Sequence, residues 1–233
     1  MPGPRADDIP YAIVEERTFV RRVYAWMTGG LTTTALVALF VASQPAIYLP
    51  LTGSPLILFG ILIGELLLVG YLAARVNAMR PGTAGAVFVA YSALNGLVFS
   101  LMFLAFGFAA ISRAFFVTAG TFGLMTAYGW LTRKDLTSIG HLCGMAVIGI
   151  FIALIVNLFL ASSTVHFVIS IVGVLAFVGL TAYDTQRIRK IHQAGSEHTD
   201  ADRRAAVIGA LHLYLDFINL FLFILYLFGG RRD

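Results

Sequence analysis

Seven long apolar stretches, joined by short polar connections, constrain the fold of this chain more than any other feature. A helix that crosses a bilayer needs about 20 mostly apolar residues, and each stretch is long enough to do so. The stretches cover residues 24–43, 55–74, 83–107, 114–132, 139–161, 164–186 and 205–228. Only 12% of the residues are charged, whereas a soluble domain carries about 25%. We therefore predict an all-α integral membrane protein, a bundle of seven transmembrane helices.

The chain is predicted to form a single transmembrane domain, residues 24–230, preceded by a polar tail over residues 1–23. Eight charged side chains are spread through this tail. The tail lacks the order of basic, apolar and small residues that marks a cleaved signal peptide. We therefore expect the first apolar stretch to remain as a membrane anchor.

Basic residues predict the orientation of the bundle in the membrane. With seven spans, 13 of the 16 lysines and arginines fall on the side of the N-terminus. Because cytosolic loops are enriched in Lys and Arg, this side is predicted to be cytosolic. The other side holds Arg113, Arg231 and Arg232. Asp216 and Asn219 interrupt the last stretch, so a re-entrant last segment remains an alternative to a full span.

Two aspartates, Asp184 and Asp216, lie on consecutive apolar stretches. An ionisable group in hydrocarbon is costly unless it faces a partner or a water-filled cavity, so both are predicted to be functional. Two adjacent carboxyl groups do not both ionise easily, so the pair is predicted to sense protons and, when ionised, to bind Ca²⁺ weakly. Their depths differ by about one to two turns, so contact requires a bent or partly unwound last helix. Alternatively, Asp184 is an interfacial residue paired with Arg187 or Arg189.

Further candidates accompany the aspartate pair. Arg75 ends the second stretch near the predicted depth of Asp184, where a guanidinium bonded to the acid would close a cytosolic gate. The alternative is an arginine that snorkels to the interface and sets topology. Glu65, near the middle of the second stretch, is predicted to face the bundle interior, either lining a pathway with Asn219 and His212 or as a hydrogen-bonded structural group.

The histidines and aspartates also raise the possibility of an intramembrane zinc hydrolase. His212 precedes Asp216 by four residues and shares its helical face, and Asp184 would complete a set of ligands. A catalytic zinc site usually has two or three nitrogen ligands. His141 and His166, however, are predicted to lie on opposite sides of the membrane. We therefore expect no catalytic zinc and no tightly bound cofactor.

Four segments resemble the Bax inhibitor-1 (transmembrane Bax inhibitor motif) family, and its bacterial members in particular. Residues 213–221 read Leu-Tyr-Leu-Asp-Phe-Ile-Asn-Leu-Phe, and residues 179–188 read Gly-Leu-Thr-Ala-Tyr-Asp-Thr-Gln-Arg-Ile. Residues 118–136 and 91–96 are also similar to that family. The resemblance covers nearly the whole chain after the tail.

The resemblance implies seven helices with a central last helix surrounded by the other six. It also implies a pH-dependent cation (Ca²⁺) leak in a bacterial inner membrane, with Asp184 and Asp216 as the proton-sensing pair and Arg75 as the latch. Its partners would be the lipid bilayer, Ca²⁺ and protons, and no nucleic acid. The alternative is a regulator that transports nothing and binds other membrane proteins, such as quality-control proteases, through residues 1–22 and 190–204.

Overall fold

The computed structural model describes residues 8–193 and 199–229, and the side chains of residues 18–190 and 199–229. Within these ranges the chain forms eight α-helices and no strand. The helices are α1 (Asp8–Ala42), α2 (Pro45–Gly53), α3 (Pro55–Arg75), α4 (Pro81–Phe106), α5 (Phe108–Leu131), α6 (Thr137–Leu160), α7 (Ser163–Gln193) and α8 (Asp200–Phe228). All except α2 are long and apolar enough to cross a membrane, which confirms the seven predicted spans.

The last helix, α8, is the core of the bundle. In its most apolar stretch 72% of the residues are buried, whereas in the corresponding stretches of α3 and α6 only 6% are buried. Helices α1, α4, α5 and α7 pack directly against α8. Helix α3 packs on α4, and α6 packs on α7. The central position predicted for the last helix is therefore confirmed, with four of the other six spans in direct contact with it.

Several helices extend beyond the apolar stretches that predicted them. Helix α1 begins at Asp8, inside the predicted polar tail, and α8 begins at Asp200. A helix needs apolar residues only at the depth of the hydrocarbon, so its ends continue through polar residues outside it. The short helix α2, which begins with Pro45, was not predicted. Residues 1–7, 194–198 and 230–233, which include Arg5, Arg231 and Arg232, lie outside the described residues.

Helix α8 is continuous from Asp200 to Phe228, so the expectation of a partly unwound last helix is wrong. Asp184 lies nine residues before the end of α7, and Asp216 lies 16 residues after the start of α8. At 1.5 Å per residue, the segment of α8 before Asp216 is therefore about 10 Å longer than the segment of α7 after Asp184. Unequal helix ends, rather than a break in α8, bring the two acids to the same level.

Candidate functional site

The structure brings Asp184 of α7 and Asp216 of α8 into contact inside the bundle. Asp184 is 8% exposed and Asp216 is 3% exposed. Their carboxyl groups lie within hydrogen-bonding reach of each other. The Oδ2 atom of Asp216 is buried and has no hydrogen-bond partner among the residues that the structure describes. Because carboxylates only accept hydrogen bonds, the two side chains bond to each other only when one carries a proton.

Charged and polar groups on three helices face this pair, which we call the dyad. Arg187 of α7 and His212 of α8 interact electrostatically with Asp184. Cys143 of α6 lies within electrostatic range of Asp216. The positive charge therefore lies beside Asp184, while Asp216 is enclosed more deeply. The two carboxyl groups therefore have different electrostatic surroundings.

A close approach of α5 and α7 fixes the position of Asp184. Gly129 of α5 lies directly against the backbone carbonyl of Ala182, two residues before Asp184. A Cβ atom at position 129 would overlap that carbonyl oxygen. Small residues let helix backbones approach closely in membranes. Gly129 therefore allows α7 to lie close enough to the core for its aspartate to reach α8.

The end of α7 also holds the α5–α6 loop, residues 132–136. Gln186, 2% exposed, donates a hydrogen bond from Nε2 to the carbonyl of Lys134 (2.8 Å) and accepts one at Oε1 from the amide of Leu136 (3.0 Å). Arg189 donates to the backbone carbonyls of Trp130 and Thr132. These bonds, which we call the loop clamp, tie the end of α7 to the α5–α6 loop and to the last turn of α5.

An exposed ion pair completes the loop clamp. The Nζ atom of Lys190 lies 2.8 Å from Oδ1 of Asp135. Hydrogen bonds from Lys190 and Thr137 lower the pKa of Asp135 to about 2. Both partners of the ion pair are largely exposed, so this contact helps to orient the loop but contributes little to stability.

The predicted latch, Arg75, is not in contact with the dyad. Its side chain is exposed at the end of α3, and within the described side chains no hydrogen bond or ion pair joins it to either aspartate. The cation beside Asp184 is instead Arg187, one turn farther along the same helix. Arg187 is exposed and lies within electrostatic range of Asp184, but among the described side chains it forms no ion pair with that aspartate, so the pairing that the alternative interpretation expected is not formed here. A latch formed by Arg75 requires a conformation other than this one.

Glu65 belongs to a second polar cluster, on the other side of α8. Its carboxyl group interacts electrostatically with Tyr91 and Tyr214, and its buried Oε1 has no hydrogen-bond partner within the described part of the chain. The hydroxyl of Tyr214 lies 2.6 Å from Oγ1 of Thr34. Tyr214 and Asp216 are two positions apart, so they point to nearly opposite sides of the helix. The structure therefore does not bring Glu65 and Asp216 to one cavity.

The other two predicted lining residues share the face of α8 that carries Asp216. His212, one turn before Asp216, is partly buried and interacts with Asp184 and Arg187. Asn219, nearly one turn after Asp216, donates a hydrogen bond from Nδ2 to the carbonyl of Leu215 (2.8 Å). His212 thus joins the dyad directly, whereas the Asn219 amide is bonded back to its own helix.

The described side chains form no metal site of the kind that a zinc hydrolase requires. Among them, no group of three or more His, Cys, Asp or Glu residues is arranged to hold a metal ion. Ca²⁺ takes six to eight oxygen ligands, of which the dyad offers at most four. Any Ca²⁺ at the dyad would therefore keep water or backbone oxygens as ligands. The predicted protein-binding segments, residues 1–22 and 190–204, lie in part outside the described residues.

The sequence predicted both acids of the dyad but not the loop clamp. Gln186 follows Asp184 by two positions, at the end of an apolar stretch where polar residues commonly mark the membrane surface. Only its burial shows that it has a structural role. The sequence did offer one indication of this role: the polar residue at that end of the apolar stretch is an uncharged amide rather than a charged side chain.

Comparisons with known proteins agree with the resemblance seen in the sequence. A family model described as "Inhibitor of apoptosis-promoting Bax1" matches residues 16–233. The chain is 42% identical over 230 residues to the inner membrane protein YbhL of Escherichia coli (strain K12), with 98% of each chain covered. An uncharacterized protein of Deinococcus radiodurans is 44% identical over 217 residues, which cover 93% of this chain and 92% of that protein. Neither the description of the family model nor these names mention an enzymatic activity.

Proposed function

Because this chain belongs to the Bax inhibitor-1 family, we propose that it is a pH-dependent leak for Ca²⁺ or a similar cation, gated by protonation of the dyad. The observation that carries the proposal is the contact between two buried carboxyl groups on neighbouring spans, Asp184 and Asp216. Buried acids inside membrane proteins mark ion pathways and proton relays. We further propose that the protein lies in a bacterial inner membrane with its N-terminus in the cytosol.

The proposed closed state holds one proton between the two carboxyl groups. One negative charge then remains, and Arg187 and His212 lie close enough to attract it. The shared proton and the attraction between Asp184 on α7 and His212 on α8 hold the end of α7 against α8, whereas Arg187, on the same helix as Asp184, stabilises the remaining negative charge. Because both aspartates are at least nine-tenths buried, the dyad is closed to bulk water in this conformation.

A second proton opens the proposed gate. At lower pH it neutralises the remaining charge, so the attraction to Arg187 and His212 is lost. The end of α7 is then free to move away from α8, and water and cations reach the dyad. Since the dyad offers only a few oxygen ligands, Ca²⁺ binds weakly enough to pass through.

The identity of the closing cation is a separate part of the proposal. In this conformation the arginine within electrostatic range of Asp184 is Arg187, whereas the resemblance implied Arg75 as the latch. We expect Arg187→Gln to raise the leak at neutral pH more than Arg75→Gln does, because only Arg187 lies beside Asp184. The reverse order would favour a closed conformation in which α3 supplies the latch.

Ca²⁺ flux into proteoliposomes, measured between about pH 5 and pH 8, tests the function, since that range covers the usual biological pH switches. The wild-type protein is expected to conduct more at acidic pH, and Asp184→Asn is expected to conduct without pH dependence. Asp200→Asn is the matched control, because it removes an exposed carboxylate from the first turn of α8, far from Asp216 along the same helix. Wild-type protein that moves no Ca²⁺ at any pH would refute the proposed leak, and pH dependence retained by Asp184→Asn would exclude the dyad from its gating.

A further inference from the structure

A basic cavity lies between α1, α4 and α8, at the end of the bundle where α1 and α8 enter the membrane. Its volume is about 450 Å³. Arg22 of α1 and Arg203 of α8 line it, together with Trp26, Pro81 and Gly82. The dyad is not part of this cavity, because Asp216 lies about 14 Å farther along α8 than the nearest cavity residue on that helix, Val207.

The groups that line this cavity suit an anion. Within residues 18–190 and 199–229, neither Arg22 nor Arg203 forms an ion pair with a carboxylate. Helix α4 begins at the cavity wall with Pro81 and Gly82, and no side chain caps the free amides of its first turn. A helix N-terminus attracts anions, and guanidinium groups bind phosphate through paired hydrogen bonds. Two arginines and a helix start thus converge on one space.

Trp26 places the cavity at the membrane surface. Its indole lies against Gly85 of α4, where a Cβ atom would be 2.6 Å from the ring. The same ring packs edge-on against Phe88, at a centroid distance of 6.3 Å. Trp26 remains 36% exposed, as is usual for a tryptophan at the boundary between headgroups and hydrocarbon. The cavity therefore lies at headgroup depth, with an apolar wall formed by Trp26, Ala206 and Val207.

We propose that this cavity binds the headgroup of an anionic phospholipid. The phosphate lies between Arg22 and Arg203 near the start of α4, and the acyl chains pass Trp26 into the bilayer. A lipid fits better than free phosphate, because the polar part of the cavity adjoins an apolar wall at the membrane surface. Basic pockets between transmembrane helices are known to hold anionic lipid headgroups.

Native mass spectrometry of the full chain in detergent tests this site. Phosphatidylglycerol is titrated against phosphatidylcholine with the same acyl chains. We expect one phosphatidylglycerol to bind in preference, and Arg22→Gln or Arg203→Gln to weaken it about fivefold each. Arg133→Gln is the matched control, because it removes an exposed arginine from the same end of the bundle outside the cavity. It should leave lipid binding unchanged.

Three results would overturn the proposal. The first is equal binding of phosphatidylcholine. The second is an Arg22→Gln/Arg203→Gln protein, or either single variant if the double variant does not fold, that binds phosphatidylglycerol as the wild type does. The third is displacement of the bound lipid by a modest excess of inorganic phosphate, which would identify a site for the free anion. Lipid binding that resists phosphate and is lost only in the cavity variants would support the proposal.

Discussion

Gln186 offers a quantitative test of the loop clamp, through the substitution Gln186→Leu. The side chain is 2% exposed, and both its hydrogen bonds, of 2.8 Å and 3.0 Å, go to backbone groups of the α5–α6 loop. Leucine has a similar volume but supplies neither bond. Each lost bond costs about 1 kcal/mol, and a backbone group left buried without a partner costs up to about 3 kcal/mol. We therefore expect Gln186→Leu to lower the free energy of unfolding by about 2–4 kcal/mol.

Equilibrium unfolding of the purified protein in mixed detergent micelles measures this change. Gln44→Leu is the control, because Gln44 is exposed before α2 and its side chain caps no helix amide. It should change the free energy of unfolding by less than about 0.5 kcal/mol. A loss below about 1 kcal/mol for Gln186→Leu would refute the clamp, because it would mean that the loop amides find other partners at no cost.

Two further predictions concern the surroundings of Asp184. Gly129→Ala is expected to lower the free energy of unfolding by about 1–3 kcal/mol, because the added methyl group would overlap the backbone carbonyl of Ala182 in α7. In the same assay Gly120→Ala, where nothing lies within 4 Å, should be neutral or stabilising, and equal effects would contradict the close approach. The pKa of Asp135, lowered to about 2 mainly by the hydrogen bond from Lys190, is expected to return toward its ordinary value in Lys190→Gln. Since the pKa is lowered in the folded protein, the ion pair stabilises above the ordinary carboxyl pKa and is lost as the pH falls through about 2. Carbon NMR titration of Asp135 checks the shift, and an unchanged value in the variant would contradict the assignment.

The apolar stretches predicted the spans because the thickness of the hydrocarbon sets a minimum helix length. They did not predict where the helices end, because a helix that leaves the hydrocarbon continues through polar residues such as those that open α1 and α8. The dyad was predictable for a related reason. An acid in the middle of a span needs a partner, and consecutive spans tend to be neighbours.

The surroundings of the dyad were harder to predict, because they depend on which face of each helix points toward the core of the bundle. In a membrane bundle the faces toward lipid and toward the core are both apolar, so periodicity does not separate them. Helix α3 shows the effect, since it lies at the periphery and turns Arg75 outward and Glu65 toward Tyr91. A glycine such as Gly129 can be predicted to allow close packing of helices. Its contact with α7 cannot be predicted from the sequence, because it depends on how the helices are arranged.

A double-mutant cycle on the pH dependence of Ca²⁺ flux tests the central claim most directly. The cycle compares wild type, Asp184→Asn, Asp216→Asn and the double variant in proteoliposomes of one composition. Because the two carboxyl groups are proposed to share one proton, either single change should abolish the pH response, and the second change should add nothing. Single variants that each keep part of the response, with effects that sum in the double variant, would show that the two acids titrate independently and would contradict the account.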